Sequence, residues 1–282
     1  MVMTIIIMAH TQGTPINLEG VSGVEAVCRF LQFVPMPDEI LDFFKPVAMQ
    51  IVQHIKAQAF MPVQAEDGQI SWKLPSETIL SHDPLVKDVI DSQLLSNTLN
   101  LFYIHGDVAA VLERYPALST VLGIQKLSTN HLIEVGKAMA TTFMQQPEAG
   151  ESLFMVAKVA KWLACVHRAQ EQEYNSSDEM VKQLQDICIL PLSCGSFASA
   201  NGPTIFFPLS EGQVKGVTSV LARDLNTVHP GLLSLLDDVG NSHARLMLNT
   251  LGVKKISPID VINHHILPIL ESEEWKAVLN GS

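Results

Sequence analysis

The sequence predicts a helix-rich α+β fold built from tandem modules, each with a short β-hairpin and several helices. Three observations predict it. Apolar residues recur at helical period along most of the chain. Two stretches break that rhythm, "FMPVQAEDGQISWKLPSETIL" (Phe60–Leu80) and "ILPLSCGSFASANGPTIFFP" (Ile189–Pro208), where β-branched and aromatic residues are bracketed by Gly and Pro. These stretches are also copies in register. Placing Pro62 on Pro191 gives an offset of 129, and the same offset lays "LGIQKLS" (Leu122–Ser128) on "LGVKKIS" (Leu251–Ser257). A unit of this length exceeds the usual solenoid repeat of roughly 20–50 residues, so it reads as a tandem module.

Taken in order, helices are expected near Val24–Phe33 and over Asp38–Lys56, the second kinked or interrupted by Pro46. Strands are expected at Met61–Gln64 and Ile70–Lys73, joined by Asp67–Gly68, a strong turn pair. Helices follow near Pro84–Leu95, Asp107–Arg114 and Thr129–Met144. In "ESLFMVAKVAKWLACVHRAQEQ" one face collects Leu153, Val156, Ala157, Ala160, Ala164 and His167, while Lys158, Lys161 and Arg168 lie toward another. A helix near Asp178–Ile187 leads to the second strand pair, Ile189–Leu192 and Thr204–Phe207, with Gly195 in the turn, and a last helix is expected over Pro258–Leu270. Gly123 and Gly252 each close an apolar phrase ahead of a new helix, where glycine supplies positive φ or close backbone approach. The chain divides on this reading into an N-terminal helical region (1–59), a first module (60–187) and a second, truncated one (188–282).

Composition narrows the function classes. Apolar residues make up 47% and charged residues 17%, against about 25% charged in an average soluble domain, which points to surfaces that neighbouring modules or partners cover. Lys and Arg number 18 against 29 Asp and Glu, a formal net charge of −11 with no basic cluster, so nucleic acid is not an expected partner. No apolar run approaches the roughly 18 residues that span a bilayer. The start "MVMTIIIMAH" has no basic residue ahead of it and no small-residue cleavage site, unlike a signal peptide. Cys28, Cys165 and Cys188 sit in apolar runs, as reduced buried thiols do, and the expected compartment is the cytoplasm, with the nucleus also compatible.

Candidate chemistry is sparse. His264–His265 invites a metal reading with Asp260 one turn upstream, but adjacent histidines on a helix point about 100° apart. The bland reading, packing histidines, is preferred, and the same holds for His131 and Glu134 in "HLIE". Ser193, Cys194 and Ser196 in "LSCGS" lack the first glycine of a nucleophile elbow and are read as turn residues. Glu171, Asn175 and Asp178 reproduce an E-x-x-x-N-x-x-D spacing used by GHKL-type ATPases, and Asp238 and Gly240 resemble the start of their adenine-reading D-x-G-x-G turn. Ser242 stands where the second glycine belongs, and no glycine-rich phosphate lid is evident, so these five residues form only the alternative ATP site. No catalytic residue, cofactor or metal site is assigned.

The two Pro–Gly elements followed by "LGVKKISPIDVINHHILPIL" resemble the sacsin-like and NO VEIN-like giant proteins, over roughly Phe60 to Leu270. Those chains carry an N-terminal GHKL-type ATPase module and long downstream regions that repeat such phrases. The resemblance implies a chaperone-associated, non-enzymatic scaffold or interaction segment whose partners are proteins or neighbouring modules. The alternative it leaves is a degenerate GHKL-type ATP-binding domain.

Overall fold

In the computed structural model the described residues are 21–32, 34, 42–64, 68–81, 83–145, 152–173, 177–208 and 225–272. They form a helix-rich α+β fold. In chain order the first elements are α1 (Val21–Leu31), α2 (Lys45–Lys56), β1 (Met61–Gln64), β2 (Ile70–Lys73), β3 (Thr78–Leu80), α3 (Pro84–Val89) and α4 (Ser92–Leu99). Next come β4 (Phe102–Tyr103), α5 (Gly106–Arg114), α6 (Pro116–Leu122), β5 (Gln125–Lys126), α7 (Thr129–Met144), α8 (Leu153–Glu173) and α9 (Asp178–Asp186). The remainder is β6 (Leu190–Pro191), β7 (Phe197–Ala198), α10 (Gly231–Ser234), α11 (Asp238–Thr250), α12 (Pro258–Val261), a π-helical turn (Ile262–Ile266) and α13 (Leu267–Glu271). Two compact units result: Met1–Asp83 with Ile90–Leu127, and Pro84–Val89 with Ser128–Ser282. The principal division thus falls after Leu127, whereas the sequence placed boundaries at 59/60 and 187/188.

The first unit is organised around one apolar cluster. Val24, Val27, Phe30 and Leu31 of α1 meet Val52 and Ile55 of α2, Phe60, Met61, Ile104, and Val108 and Leu112 of α5. Phe30 and Phe60 pack edge to face at 5.8 Å, the arrangement the ring quadrupoles favour. Pro46 lies in the first turn of α2, where its missing N–H costs nothing, so it opens the helix and does not kink it. The expected helical residues 38–41 lie outside the described residues. β1 and β2 form the expected antiparallel hairpin, Met61 opposite Lys73 and Gln64 opposite Ile70, and Gly68 takes φ +78° in the turn. Asp67 lies outside the described residues. A second sheet was not anticipated: β3 runs parallel between β4 and β5. Its strands are two or three residues long, too short for alternation to register.

The segment read as one helix, Pro84–Leu95, is two. Asp91 caps α4, its carboxylate accepting from the Leu94 N–H at 2.8 Å, and the break sends α3 to the second unit. There Val86 and Val89 are buried and Asp88 pairs with Lys161 at 2.7 Å.

α8 is the axis of the second unit. Its interior from Val156 to Gln170 is buried on nearly every side, including Val159, Trp162, Leu163 and Val166, so the single-face reading was too narrow; Leu153, placed on that face, is exposed. The Trp162 indole is fully buried, donates to the Leu132 carbonyl at 2.9 Å and lies against Gly136. A Cβ at Gly136 would stand 2.5 Å from the indole ring, so the absence of a side chain there is what admits Trp162. In the last described helical stretch, Pro268 would drive its ring into the carbonyl four residues earlier in a regular α-helix, and the π-helical turn just ahead of it relieves that conflict.

The internal repeat is a structural repeat, and it reaches further than the sequence match. Pro62 and Pro191 accept through their carbonyls from the His105 N–H (2.9 Å) and the His229 N–H (2.8 Å). Antiparallel bridges join Val63 to Ile104 and Leu192 to Val228. Ile79 lies parallel to Tyr103 and Gln125, as Phe206 does to Thr227 and Lys254. Thr204–Phe207 is therefore the counterpart of β3 and not the return arm of the hairpin, which is β7. Ile124 donates to Ser119 as Val253 does to Leu248, closing two helix ends on Gly123 (φ +77°) and Gly252 (φ +94°). Ser128 and Ser257 then open the following helices with capping boxes.

Two glycine substitutions separate two costs. Gly136→Ala should destabilise the fold by about 1–3 kcal/mol through overpacking against Trp162. Gly252→Ala meets only Gln185 Nε2, at an ordinary 4.0 Å, and should lose about 1 kcal/mol through backbone strain, which Gly252→Asn should largely restore. Urea denaturation of the three variants measures both.

Candidate functional site

Among the described residues, a cluster of three side chains that could hold a metal ion joins α8 to α11. His167 and Glu171 are one helical turn apart on α8, so they share a face. α11 begins at an N-cap, Asp237, whose carboxylate accepts from the Gly240 N–H at 2.7 Å, and it carries His243 one turn further along. Burial of Ala244, Met247 and Leu248 holds α11 in place. Nδ1 of His167 and Nδ1 of His243 are 3.0 Å apart, with the rings tilted at 48°. A Glu171 carboxylate oxygen lies 3.7 Å from the first and 3.6 Å from the second. The imidazoles are 15% and 22% exposed and the carboxylate 57%, so the cluster has a dry side and a wet side. Burial lowers the His167 pKa, the Glu171 charge works against that shift, and His243 adds to it.

The alternative ATP-site residues are placed as follows. Glu171 belongs to this cluster, and Asn175 lies outside the described residues. Asp178 is in the first turn of α9, which Ser177 caps by accepting from the Met180 N–H. Asp238 and Gly240 occupy the first turn of α11, and Ser242 is an exposed residue inside the same helix. The stretch likened to an adenine-reading turn is thus a capped helix start.

The other candidates have structural partners. His131 and Ser128 exchange the two hydrogen bonds of a capping box, while Glu134 pairs with Lys137 at 2.7 Å. The Asp260 carboxylate accepts from the Ser257 N–H and hydroxyl, and these bonds lower its pKa. His264 approaches the Phe206 ring edge-on at 5.9 Å. Ser193 contacts the Thr227 hydroxyl at 2.8 Å and the Val228 carbonyl, tying its turn to the strand beside it. Exposed Cys194 contacts Ser196 at 3.0 Å. The His167–Glu171 spacing could have been read from the sequence, but His243 comes from 76 residues away, and only the fold brings it in.

Among the described residues, no helix is long and apolar enough to cross a membrane. No family model matches the chain, and no solved structure matches it. Among curated proteins it is similar to Protein NO VEIN of Arabidopsis thaliana, at 23% identity over 270 residues. The match covers 90% of this chain and 9% of that protein, so the chain spans less than a tenth of its relative's length. The similarity supports a NO VEIN-like relationship.

The cysteines should react in a set order. Cys194 is exposed, Cys165 is buried, and burial raises the Cys28 and Cys188 thiols, which lowers their thiolate fraction. A thiol-specific reagent at neutral pH should modify Cys194 first, as peptide mass mapping would read directly.

Proposed function

We propose that this chain is a non-enzymatic scaffold segment of a much larger NO VEIN-like protein, and that it docks neighbouring modules or partner proteins. The observation that carries this reading is the last helical stretch among the described residues. Ile259, Ile262, Ile266, Leu267 and Leu270 are all exposed there, a run of apolar side chains that water alone does not explain. The low charge content and the match to a small part of a long relative support the same reading. Association with a GHKL-type ATPase module and a chaperone-like role come from the family resemblance, and a cytoplasmic or nuclear setting comes from the cysteines in apolar runs; all three belong to this proposal.

A direct test measures binding between this chain and the segments that flank it in the full-length transcript product. Binding should weaken about tenfold or more in an Ile266→Glu, Leu270→Glu double variant that keeps the wild-type circular dichroism. Equal binding by both proteins would remove the docking role from this helix.

The ATP-binding alternative makes the opposite prediction in a second experiment. Asp237 already takes the Gly240 N–H, leaving that backbone donor engaged within its own helix start. Isothermal titration with magnesium and ATP should give no saturable heat at millimolar nucleotide. Saturable binding lost in Asn175→Ala would replace the scaffold reading with the ATPase one.

A further inference from the structure

We propose that His167, Glu171 and His243 form a site for one borderline divalent cation, zinc above all, that ties α8 to α11. The three nearest ligand atoms are 3.0, 3.6 and 3.7 Å apart. A triangle with those sides has a circumscribed radius of about 2.0 Å, so one point lies about that far from all three atoms, close to the Zn–N and Zn–O bond lengths. At those spacings the ion would lie in the plane of the three atoms; the edges of a tetrahedral zinc site are roughly 3.3 Å long, so drawing the two longer sides in by about 0.3–0.4 Å lifts it out of that plane and opens a fourth position.

The donor types agree with the distances. Two imidazole nitrogens and a carboxylate suit zinc and its neighbours, whereas magnesium and calcium favour all-oxygen sets. Two Nδ1 atoms at 3.0 Å cannot both carry protons toward each other. Either one proton sits between them, or both lone pairs face a shared cation, and the carboxylate in reach of both can balance the charge of that cation. Three protein ligands leave a fourth tetrahedral position, and the half-exposed Glu171 side of the cluster gives water access to it. All three side chains lie in one compact unit, on helices whose packing is already set by buried residues. The site therefore needs no large rearrangement to close.

The test uses the full 282-residue chain, stripped with a chelator and titrated with zinc. One equivalent should bind, the melting temperature should rise with zinc concentration, and cobalt in its place should show the visible absorption of a tetrahedral site. Glu171→Gln and His243→Gln should each weaken zinc binding about tenfold or more, while His264→Gln leaves it unchanged. Glu171 is half-exposed and outside the core, so its variant keeps the test decisive even if His243→Gln unfolds. No binding by the wild type, or full-strength binding by Glu171→Gln, overturns the three-ligand site. In the first case the histidines are a hydrogen-bonded pair, and in the second the carboxylate is a bystander.

Discussion

The buried contact between Trp162 and Gly136 is the constraint around which the second unit is arranged. An indole enclosed on all sides needs a partner for its N–H and a gap for its ring, and α7 supplies both, the Leu132 carbonyl and the missing side chain at Gly136. With that contact made, α8 is fixed in rotation as well as in distance. Its other faces then decide what else can pack: Asp88 of α3 reaches Lys161, and α11 presents His243 to His167 and Glu171. The candidate metal site is a by-product of how α8 is seated, which is why its geometry is tight without any loop to hold it.

The duplicated module shows which parts of the architecture tolerate change. Strand pairing, the glycine-terminated helix ends and the serine-capped starts recur, while the helices between them differ in length and in composition. α6 has seven residues and its counterpart α11 thirteen. What is held constant is backbone hydrogen bonding, which any side chain of suitable conformational freedom supports. The His105 and His229 pair adds one side-chain feature, since each imidazole Nδ1 accepts an N–H two residues ahead and fixes the entry to a helix.

Legibility in the sequence followed how local each signal is. β1, β2 and the glycines at 123 and 252 were readable because turn chemistry and positive φ are demands of a few adjacent residues. The three-stranded parallel arrangement was not, because its strands are two or three residues long and are paired by distant backbone. α11 was missed because "DDVGNS" resembles the start of an adenine-reading turn until Asp237 is seen to be an N-cap. The placement of Gly136 beneath Trp162 and of His243 beside His167 depends on helix packing, which no window along the chain contains. His131 and Asp260 take part in capping boxes, which explains why polar groups sit at those positions.

The order of strands in the parallel sheet bears on how the chain is made. β3 lies between β4 and β5, yet both of its neighbours are synthesised after it. During translation Ile79 emerges with two open edges and keeps them until the residues near 103 and then 125 leave the ribosome. The β1–β2 hairpin is complete well before that, because its arms are adjacent in the chain. Each module therefore passes through a stage in which a finished hairpin carries an unpaired strand, and the short length of β3 limits what that strand can capture in the meantime.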